Sequence, residues 1–270
     1  MHRRDFVAGS LGASLAPVLG QTTPSTGTTT QGGTSMAAPQ ILELRRYQFR
    51  SGPMGGRHAE YAKTALVPAM NRLGIKPVGA FNVSLGSQSP ATYMLLAHPN
   101  ADSAVTLGAR LTQDAEYKAA GAAFRSLPQS DPPYLRRDSW LMLAFSGFPA
   151  IVPPTGPLAA PGRIFELRTY ESHNETAGLK KIEMFEKGGE LPIFARVGIT
   201  PVFFGRNVVG TGMPSLTYMS VFPDMAAREK AWAAFGEDAD WVKLRGQAEY
   251  QDIVSNIRIE MLKPAAYSQL

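Results

Sequence analysis

The chain of 270 residues contains no cysteine. Without a thiol it cannot use a cysteine nucleophile, an iron–sulfur cluster or a zinc site built on cysteines. Disulfide bonds are excluded as well, so the folded part has to be held together by its core. The roughly 230 residues that follow the N-terminal segment are enough to build such a core.

Histidine and clustered charge are also scarce. Only four histidines are present, and they form neither an H-x-H nor an H-E-x-x-H pattern, so no metal site is predicted. The formal net charge is +5, and no run of Lys and Arg is longer than two residues. This charge distribution gives no support to a nucleic-acid partner.

Long hydrophobic runs are missing too, because no stretch approaches the roughly eighteen apolar residues of a transmembrane helix. Residues 1–20 contain Arg3 and Arg4 before a short, broken apolar stretch, which resembles a twin-arginine-type export signal. An ordinary secretion signal and a merely basic N-terminus are the alternatives. Residues 21–39 are almost wholly Thr, Gly, Ser, Gln and Pro, which predicts a flexible tether. The protein is therefore expected to be periplasmic or secreted.

The remainder of the chain contains an internal sequence repeat. Three segments recur: 41–47 as 164–170, 73–78 as 197–202, and 92–94 as 217–219. The offsets of 123, 124 and 125 residues keep register across more than fifty positions, which a chance match would not do. Two copies of one small unit therefore explain most of the length.

The repeat sets the domain boundaries. We predict a first domain at 40–147, a proline-rich linker at 148–162, a second domain at 163–264 and a tail at 265–270. Hydrophobic periodicity and turn residues predict the order strand-helix-strand-strand-helix-strand in each copy. Pro192 is expected to kink or split the first helix of the second copy.

This element order is the ferredoxin-like plan, an antiparallel sheet with helices on one face. One copy alone leaves the other sheet face bare. The predicted fold is therefore α+β, with two tandem ferredoxin-like units forming an intramolecular dimeric α/β-barrel.

Three motifs occur in both copies: Leu-Arg-x-Tyr at the end of the first strand, Gly-x-x-Pro-Val before the second, and acidic-x-acidic-aromatic on the last helix. Together they resemble the NIPSNAP family over residues 41 to about 262. The second copy is the closer match, because Ala227-Arg228-Glu229 resembles the family's helix signature where the first copy has Ala104-Val105-Thr106. The resemblance implies the dimeric α/β-barrel fold and implies no particular reaction.

Alternation along the first strand of each copy sorts its side chains by face. Leu42 and Leu44 are expected to meet the helices. The opposite set is expected to point into the barrel interior as two Glu-x-Arg-x-Tyr ladders. Its members are Glu43, Arg45, Tyr47, Glu166, Arg168 and Tyr170.

Two interpretations of these ladders stay open. Charges in an enclosed space need partners, so the ladders could be a salt-bridge network that fixes the sheet. They could also form a polar pocket for a small anionic or carbonyl ligand, with Arg45 and Arg168 as anchors.

The histidines are weaker candidates. His58 and His173 follow the first strands of the two copies and could act as a general base or as a haem ligand. Exposed loop histidines are the alternative. His98 is expected in a turn. Apart from this haem candidate, no cofactor is predicted. The acidic residues Asp114 and Asp238 are expected to cap helices or to face solvent.

Two functions follow from these observations. The first is an exported NIPSNAP-like protein that binds a small molecule, or carries out cofactor-free chemistry, in a polar cavity. The second is a structural or protein-interaction module with a fully packed barrel. Further assembly into a homo-oligomer fits either function, and the sequence leaves open whether the protein is an enzyme.

Overall fold

The structure is a computed structural model that describes residues 38–270. The predicted export signal at 1–20 and nearly all of the predicted tether at 21–39 lie outside the described residues. Within 38–270, no helix is both long enough and apolar enough to cross a bilayer.

Eight antiparallel strands form one closed barrel. They are β1 (Ile41–Gln48), β2 (Val78–Leu85), β3 (Ala91–His98), β4 (Arg136–Ala144), β5 (Ile164–Glu171), β6 (Thr200–Val209), β7 (Ser215–Phe222) and β8 (Asn256–Pro264). Around the barrel the order is β1-β3-β2-β8-β5-β7-β6-β4. The first half contributes β1–β4 and the second half contributes β5–β8.

Helices pack against the outside of the barrel. In the first half they are α1 (Met54–Tyr61), a π-helical turn (Ala62–Leu66), α2 (Val67–Arg72), α3 (Ala101–Gln113), α4 (Ala115–Ala120) and α5 (Ala122–Arg125). In the second half they are α6 (Glu175–Glu186), α7 (Glu190–Val197), α8 (Met225–Glu237) and α9 (Ala239–Arg245). Short 3-10 turns lie at Gly156–Ala159 and Ala248–Tyr250.

Strand pairing between the halves closes the barrel. β2 pairs with β8 and β4 pairs with β6, so the edge strands of each half are paired with those of the other. This arrangement leaves no free sheet edge in the barrel, which removes the usual site of strand-to-strand association. The predicted α+β fold with a closed α/β-barrel is confirmed.

A proline at the same place in each half disturbs the first helical segment. Proline lacks the N–H that a helix needs and clashes with the carbonyl four residues earlier. The chain accommodates Pro68 by the π-helical turn that precedes it. In the second half the helix breaks between α6 and α7, and Pro192 lies in the first turn of α7. The predicted interruption at Pro192 is therefore confirmed.

The barrel interior is packed with apolar side chains from both halves. Leu42, Leu44, Phe165 and Leu167 are at most 4 % exposed and belong to one core cluster. The ring centroids of Phe81 and Phe165 lie 4.7 Å apart at the contact between the halves. An eight-stranded barrel is only wide enough for such side chains to fill it.

The expected direction of the first strands is therefore wrong. The alternation is right, but Leu42 and Leu44 point into the barrel, whereas the Glu-x-Arg-x-Tyr ladders point out toward the helices. Tyr47 packs with the helices of the first half, and Tyr170 packs with those of the second. Charged groups would lack partners in the narrow interior, while the helix side supplies them.

The linker and the tail both pack on the barrel. Ile151, in the predicted linker, is buried in the interior cluster together with Leu270 at the end of the chain. The side chain of Gln269 accepts a hydrogen bond from the backbone N–H of Val78 at 2.8 Å. Residues 265–270 therefore run beside β2.

Candidate functional site

The first-half ladder is a bidentate ion pair on β1. Nε and Nη2 of Arg45 donate to the two carboxylate oxygens of Glu43 at 2.7 and 2.9 Å. Both residues are buried, with 6 % and 7 % of their surface exposed. Adjacent positions on the same strand face bring the two side chains together, as the alternation predicts. A paired carboxylate and guanidinium fix each other's orientation.

Further donors to Glu43 come from neighbouring strands. Nε2 of His98 donates to it at 3.1 Å, and the hydroxyl of Ser139 donates at 2.5 Å. Nδ1 of His98 lies 3.3 Å from the hydroxyl of Ser103, which also accepts from Arg110 at 3.0 Å. Since a carboxylate only accepts, Nε2 of His98 carries the proton. The prediction that His98 lies in a turn is wrong, because it ends β3 and is buried.

These contacts decide the charge state of Glu43. Burial alone would raise the pKa of its carboxyl group, but the hydrogen bond from His98 and the charge of Arg45 lower that pKa to about 2. Glu43 is therefore ionised at neutral pH and needs no further partner.

A cavity of about 410 Å³ lies between this ladder and the helices. We call it the first-half cavity. The residues that matter for its chemistry are Glu43, Arg45, Ala104, Gly108, Arg125 and Arg137. Its walls also include the rings of Tyr47, Tyr61, Tyr117, Phe124 and Tyr134. Three arginines and one carboxylate line it, so the charge of its lining is positive.

The second-half ladder has different partners. Arg168 donates through Nε to Glu166 at 2.7 Å, as in the first half. The other donors come from α8: Arg228 donates at 3.0 and 2.8 Å, and the indole N–H of Trp232 donates at 2.7 Å. The Trp232 ring also stacks on the Arg168 guanidinium, 3.7 Å from its carbon. The carboxylate of Glu166 is thereby fully buried beneath α8.

The second half holds a cavity of its own, of about 460 Å³. We call it the second-half cavity; its walls include Arg168, Tyr170, Lys181, Glu190, Trp232 and Trp241. Nζ of Lys181 donates to Glu190 at 2.6 Å, and both groups are buried. Burial raises the pKa of Glu190, even though Lys181 lowers it. A buried pair of this kind is weak evidence for either stability or function.

Helix α3 explains why the two ion pairs differ. α3 and α8 are each 13 residues long and start at equivalent positions, 124 residues apart. Ala104 and Gly108 of α3 therefore occupy the places of Arg228 and Trp232 in α8. A Cβ atom built on Gly108 would meet nothing within 4 Å. α3 consequently gives Glu43 no donor equivalent to Arg228 or Trp232, and Glu43 keeps 7 % of its surface exposed whereas Glu166 is fully buried.

The histidine candidates do not line either cavity. His58 is fully buried in α1, and neither ring nitrogen has a hydrogen-bond partner within 38–270. Burial lowers its pKa to about 4. Its ring is packed against Tyr47 and Phe49, with centroid distances of 4.4 and 5.2 Å. His173 is exposed.

This arrangement does not suit haem. The rings around His58 leave no space beside its nitrogens for a porphyrin, and His173 is exposed on the surface. The expectation that both could be exposed loop residues is right for His173 and wrong for His58. Among the described residues, no group of three His, Asp or Glu side chains is placed to hold a metal ion.

The second half of the chain matches a known family. Residues 165–269 match the NIPSNAP family model. A NIPSNAP-like domain protein from Burkholderia xenovorans is 17 % identical, with a TM-score of 0.37, over 41 % of this chain and 92 % of that chain. A comparison with curated protein sequences finds no match.

The complete barrel resembles other solved structures. A protein described as a "putative monooxygenase" from Lactobacillus acidophilus NCFM aligns with a TM-score of 0.55 and 8 % identity, over 84 % of this chain and 94 % of that chain. One with the same description from Fusobacterium nucleatum gives 0.53 and 9 %, over 85 % and 94 %. At such identities the likeness shows the barrel fold alone.

The NIPSNAP match covers the half in which α8 supplies donors to the buried glutamate. The sequence correctly predicted that Glu43 lies beside Arg45 and Glu166 beside Arg168. It placed all four on the wrong side of the sheet. It missed Gly108, Trp232 and the Lys181–Glu190 pair. A signal was present, because the first copy has Ala104 where the second has Arg228 and so departs from the family's pattern. Only the fold shows that this difference changes the donors to the buried glutamate.

Proposed function

We propose that the chain binds a small anionic molecule in the first-half cavity. The observation that carries this proposal is the excess of positive charge: Arg45, Arg125 and Arg137 line the space with Glu43 as their counter-charge. Arg125 and Arg137 form no ion pair within residues 38–270. Guanidinium groups without a carboxylate partner favour an anionic guest.

The size and shape of the cavity support this function. Small-molecule sites are concave spaces of roughly 300–1,000 Å³ lined by aromatic and apolar groups with a few polar anchors. The first-half cavity has this size, aromatic walls and a pre-oriented Glu43–Arg45 pair. Because His98 and Ser139 hold Glu43 from the strands, the ion pair keeps its geometry without a ligand.

The first half is proposed to be a second NIPSNAP-like domain. Its support is the shared order of elements, the shared Glu-x-Arg-x-Tyr ladder and the equal lengths of α3 and α8. The two halves would then have diverged in function, and the first half would have kept anion binding. Cofactor-free chemistry in this cavity belongs to the same proposal, as the "monooxygenase" neighbours share only the fold.

A structural module is the second candidate function, and the packed barrel interior favours it. A homo-oligomer would have to form through the outer surface, because the barrel strands are paired within the chain. Leu179 and Met213 are exposed on that surface, beside one groove. In this case the first-half cavity would hold only water.

Calorimetric titration with 2-naphthoate tests the proposed site. Replacing Arg137 by glutamine should weaken 2-naphthoate binding by roughly 10- to 150-fold, because one charge-assisted contact contributes roughly 1.5–3 kcal/mol. Arg206→Gln removes the same charge from an exposed position in the second half and should leave the affinity unchanged. Absence of binding to the unaltered chain, or equal weakening by both variants, would exclude this site.

Export by the twin-arginine pathway is proposed on the Arg3-Arg4 pair. Changing both residues to lysine should leave the chain in the cytoplasm of a bacterial host, whereas the unaltered chain should reach the periplasm. Cell fractionation followed by immunoblotting measures the difference. Equal periplasmic recovery of the two forms would contradict this route.

A further inference from the structure

We infer that the second-half cavity binds a neutral aromatic carboxamide, which is held by Lys181 and Glu190. This site is separate from the proposed anion site, because the two cavities lie in different halves of the chain. Three features carry the inference: the hydrogen-bonding capacity that this pair has left, the balanced charge of the cavity and its aromatic walls.

The Lys181–Glu190 pair does not use all of its donors and acceptors. Nζ of Lys181 contacts Oε2 of Glu190 at 2.6 Å and Sδ of Met184 at 3.5 Å, so two acceptors serve an ammonium group that has three N–H donors. Within residues 38–270, Oε1 of Glu190 accepts no hydrogen bond. Glu190 is only 2 % exposed, and a carboxylate oxygen buried in this way favours a donor.

Both side chains of the pair belong to the cavity wall. The ammonium group of Lys181 lies 5.5 and 5.6 Å from the ring centroids of Tyr170 and Trp241, which line the same space. A donor and an acceptor therefore stand 2.6 Å apart beside aromatic surface. A carboxamide matches them, because its carbonyl oxygen accepts and its N–H donates on one planar group.

The first half shows that the fold does not need this pair. Leu66 stands 124 positions before Glu190, which is also the offset between the repeated segments 73–78 and 197–202. Leu66 lines the first-half cavity as Glu190 lines the second-half cavity. Apolar residues in place of a buried ion pair are often neutral or stabilising, so packing alone does not account for the charges.

The balance of charge favours a neutral ligand. Three cationic and three carboxylate side chains meet at this cavity: Arg168, Lys181 and Arg245 with Glu190 and Asp252 in its wall, and Glu166 paired with Arg168. The lining of the first-half cavity is instead positive. A carboxylate ligand would meet Oε1 of Glu190 with a second negative charge, whereas an amide meets it with an N–H.

Aromatic side chains provide the surface for the ring of the ligand. Trp232, Phe235, Trp241 and Tyr250 line the cavity, and the ring centroids of Phe235 and Trp241 lie 4.4 Å apart. The volume of about 460 Å³ is that of a small-molecule site. Aromatic walls favour an aromatic guest, because stacked and edge-to-face contacts add to the burial of apolar surface.

Calorimetric titration of the full chain with 2-naphthamide tests this site. Lys181→Met together with Glu190→Leu removes both polar partners and leaves no single buried charge. This double variant should weaken binding at least roughly 100-fold, because two charge-assisted hydrogen bonds are lost and each contributes a factor of about ten or more. Lys180→Met with Glu183→Leu is the matched control, since it removes a partly exposed ion pair from the same helix and should leave the affinity unchanged.

Two further measurements test the class of the ligand. 2-Acetonaphthone keeps the ring and the carbonyl group but has no N–H for Glu190, so it should bind the unaltered chain about tenfold more weakly than 2-naphthamide. Arg137→Gln, in the first half, should weaken the binding of 2-naphthoate and leave that of 2-naphthamide unchanged.

The site would be overturned if 2-naphthamide did not bind, if the Lys181/Glu190 variant kept its affinity, or if both double variants weakened binding equally. Loss of 2-naphthamide binding in Arg137→Gln would also overturn it. Equal affinities for the ketone and the amide would contradict the carboxamide class, and this comparison needs no variant. Thermal denaturation confirms that each variant is folded. The proposed anion site is tested separately by 2-naphthoate, so the two sites can fail independently.

Discussion

Replacing Glu166 by glutamine is expected to lower the free energy of unfolding by about 3–5 kcal/mol, the usual cost of breaking a buried ion pair from one side. The carboxylate of Glu166 is fully buried and accepts from Arg168, Arg228 and Trp232. Glutamine keeps the shape but loses the charge. Two guanidinium groups would then lie together without a counter-ion.

The matched variant is Glu43→Gln in the first half. Only one guanidinium, that of Arg45, depends on Glu43, while its other donors, His98 and Ser139, lie on neighbouring strands. The expected loss is therefore smaller, about 1–3 kcal/mol, as for a hydrogen-bond network that keeps its neutral members. Urea denaturation of the two variants measures the difference. An equal loss, or a larger one for Glu43→Gln, would show that the helix-side partners of Glu166 do not matter.

Replacing His58 by phenylalanine is expected to stabilise the protein by about 1–3 kcal/mol above pH 6.5, because two buried nitrogens without partners are removed. Neither nitrogen of His58 is hydrogen-bonded within the described residues, and the ring sits among aromatic side chains. Phenylalanine has a flat ring and no polar atom that needs a hydrogen-bond partner. A loss of stability would mean that the nitrogens of His58 do have partners.

The same residue predicts a pH dependence. Burial holds the pKa of folded His58 at about 4, below its ordinary value of 6.5. Between these values the unfolded chain binds a proton that the folded chain does not, so stability falls as the pH is lowered from 6.5 to 4. The loss is about 3 kcal/mol and should disappear in His58→Phe. His173→Gln changes an exposed histidine and should keep the wild-type pH dependence.

The repeat was enough to predict the fold. Equal offsets between the copies, together with turn residues, predicted eight strands in two halves, and the structure confirms the closed barrel. Alternation correctly predicted that Glu43 and Arg45 share a face. It could not predict which face turns inward, because period two is symmetric with respect to the two sides of a sheet. The apolar set, which includes Leu42 and Phe165, has to fill the narrow interior.

The contacts of the site could not be predicted from the sequence. Glu43 meets His98 and Ser139 across β3 and β4, residues that lie 55 and 96 positions away. Nothing in a local pattern links such distant positions. The donors that α8 gives to Glu166, which are Arg228 and Trp232, also lie 62 and 66 positions from it. Buried His58 was likewise hidden, because a glycine-rich stretch before it suggested an exposed loop.

A crystal structure of the chain with 2-naphthoate tests the central claim most directly. The account predicts naphthoate in the first-half cavity, with its carboxylate directed to Arg137 or Arg125. Naphthoate in the second-half cavity or at the barrel mouth instead, or a first-half cavity containing only water at a saturating concentration, would contradict it.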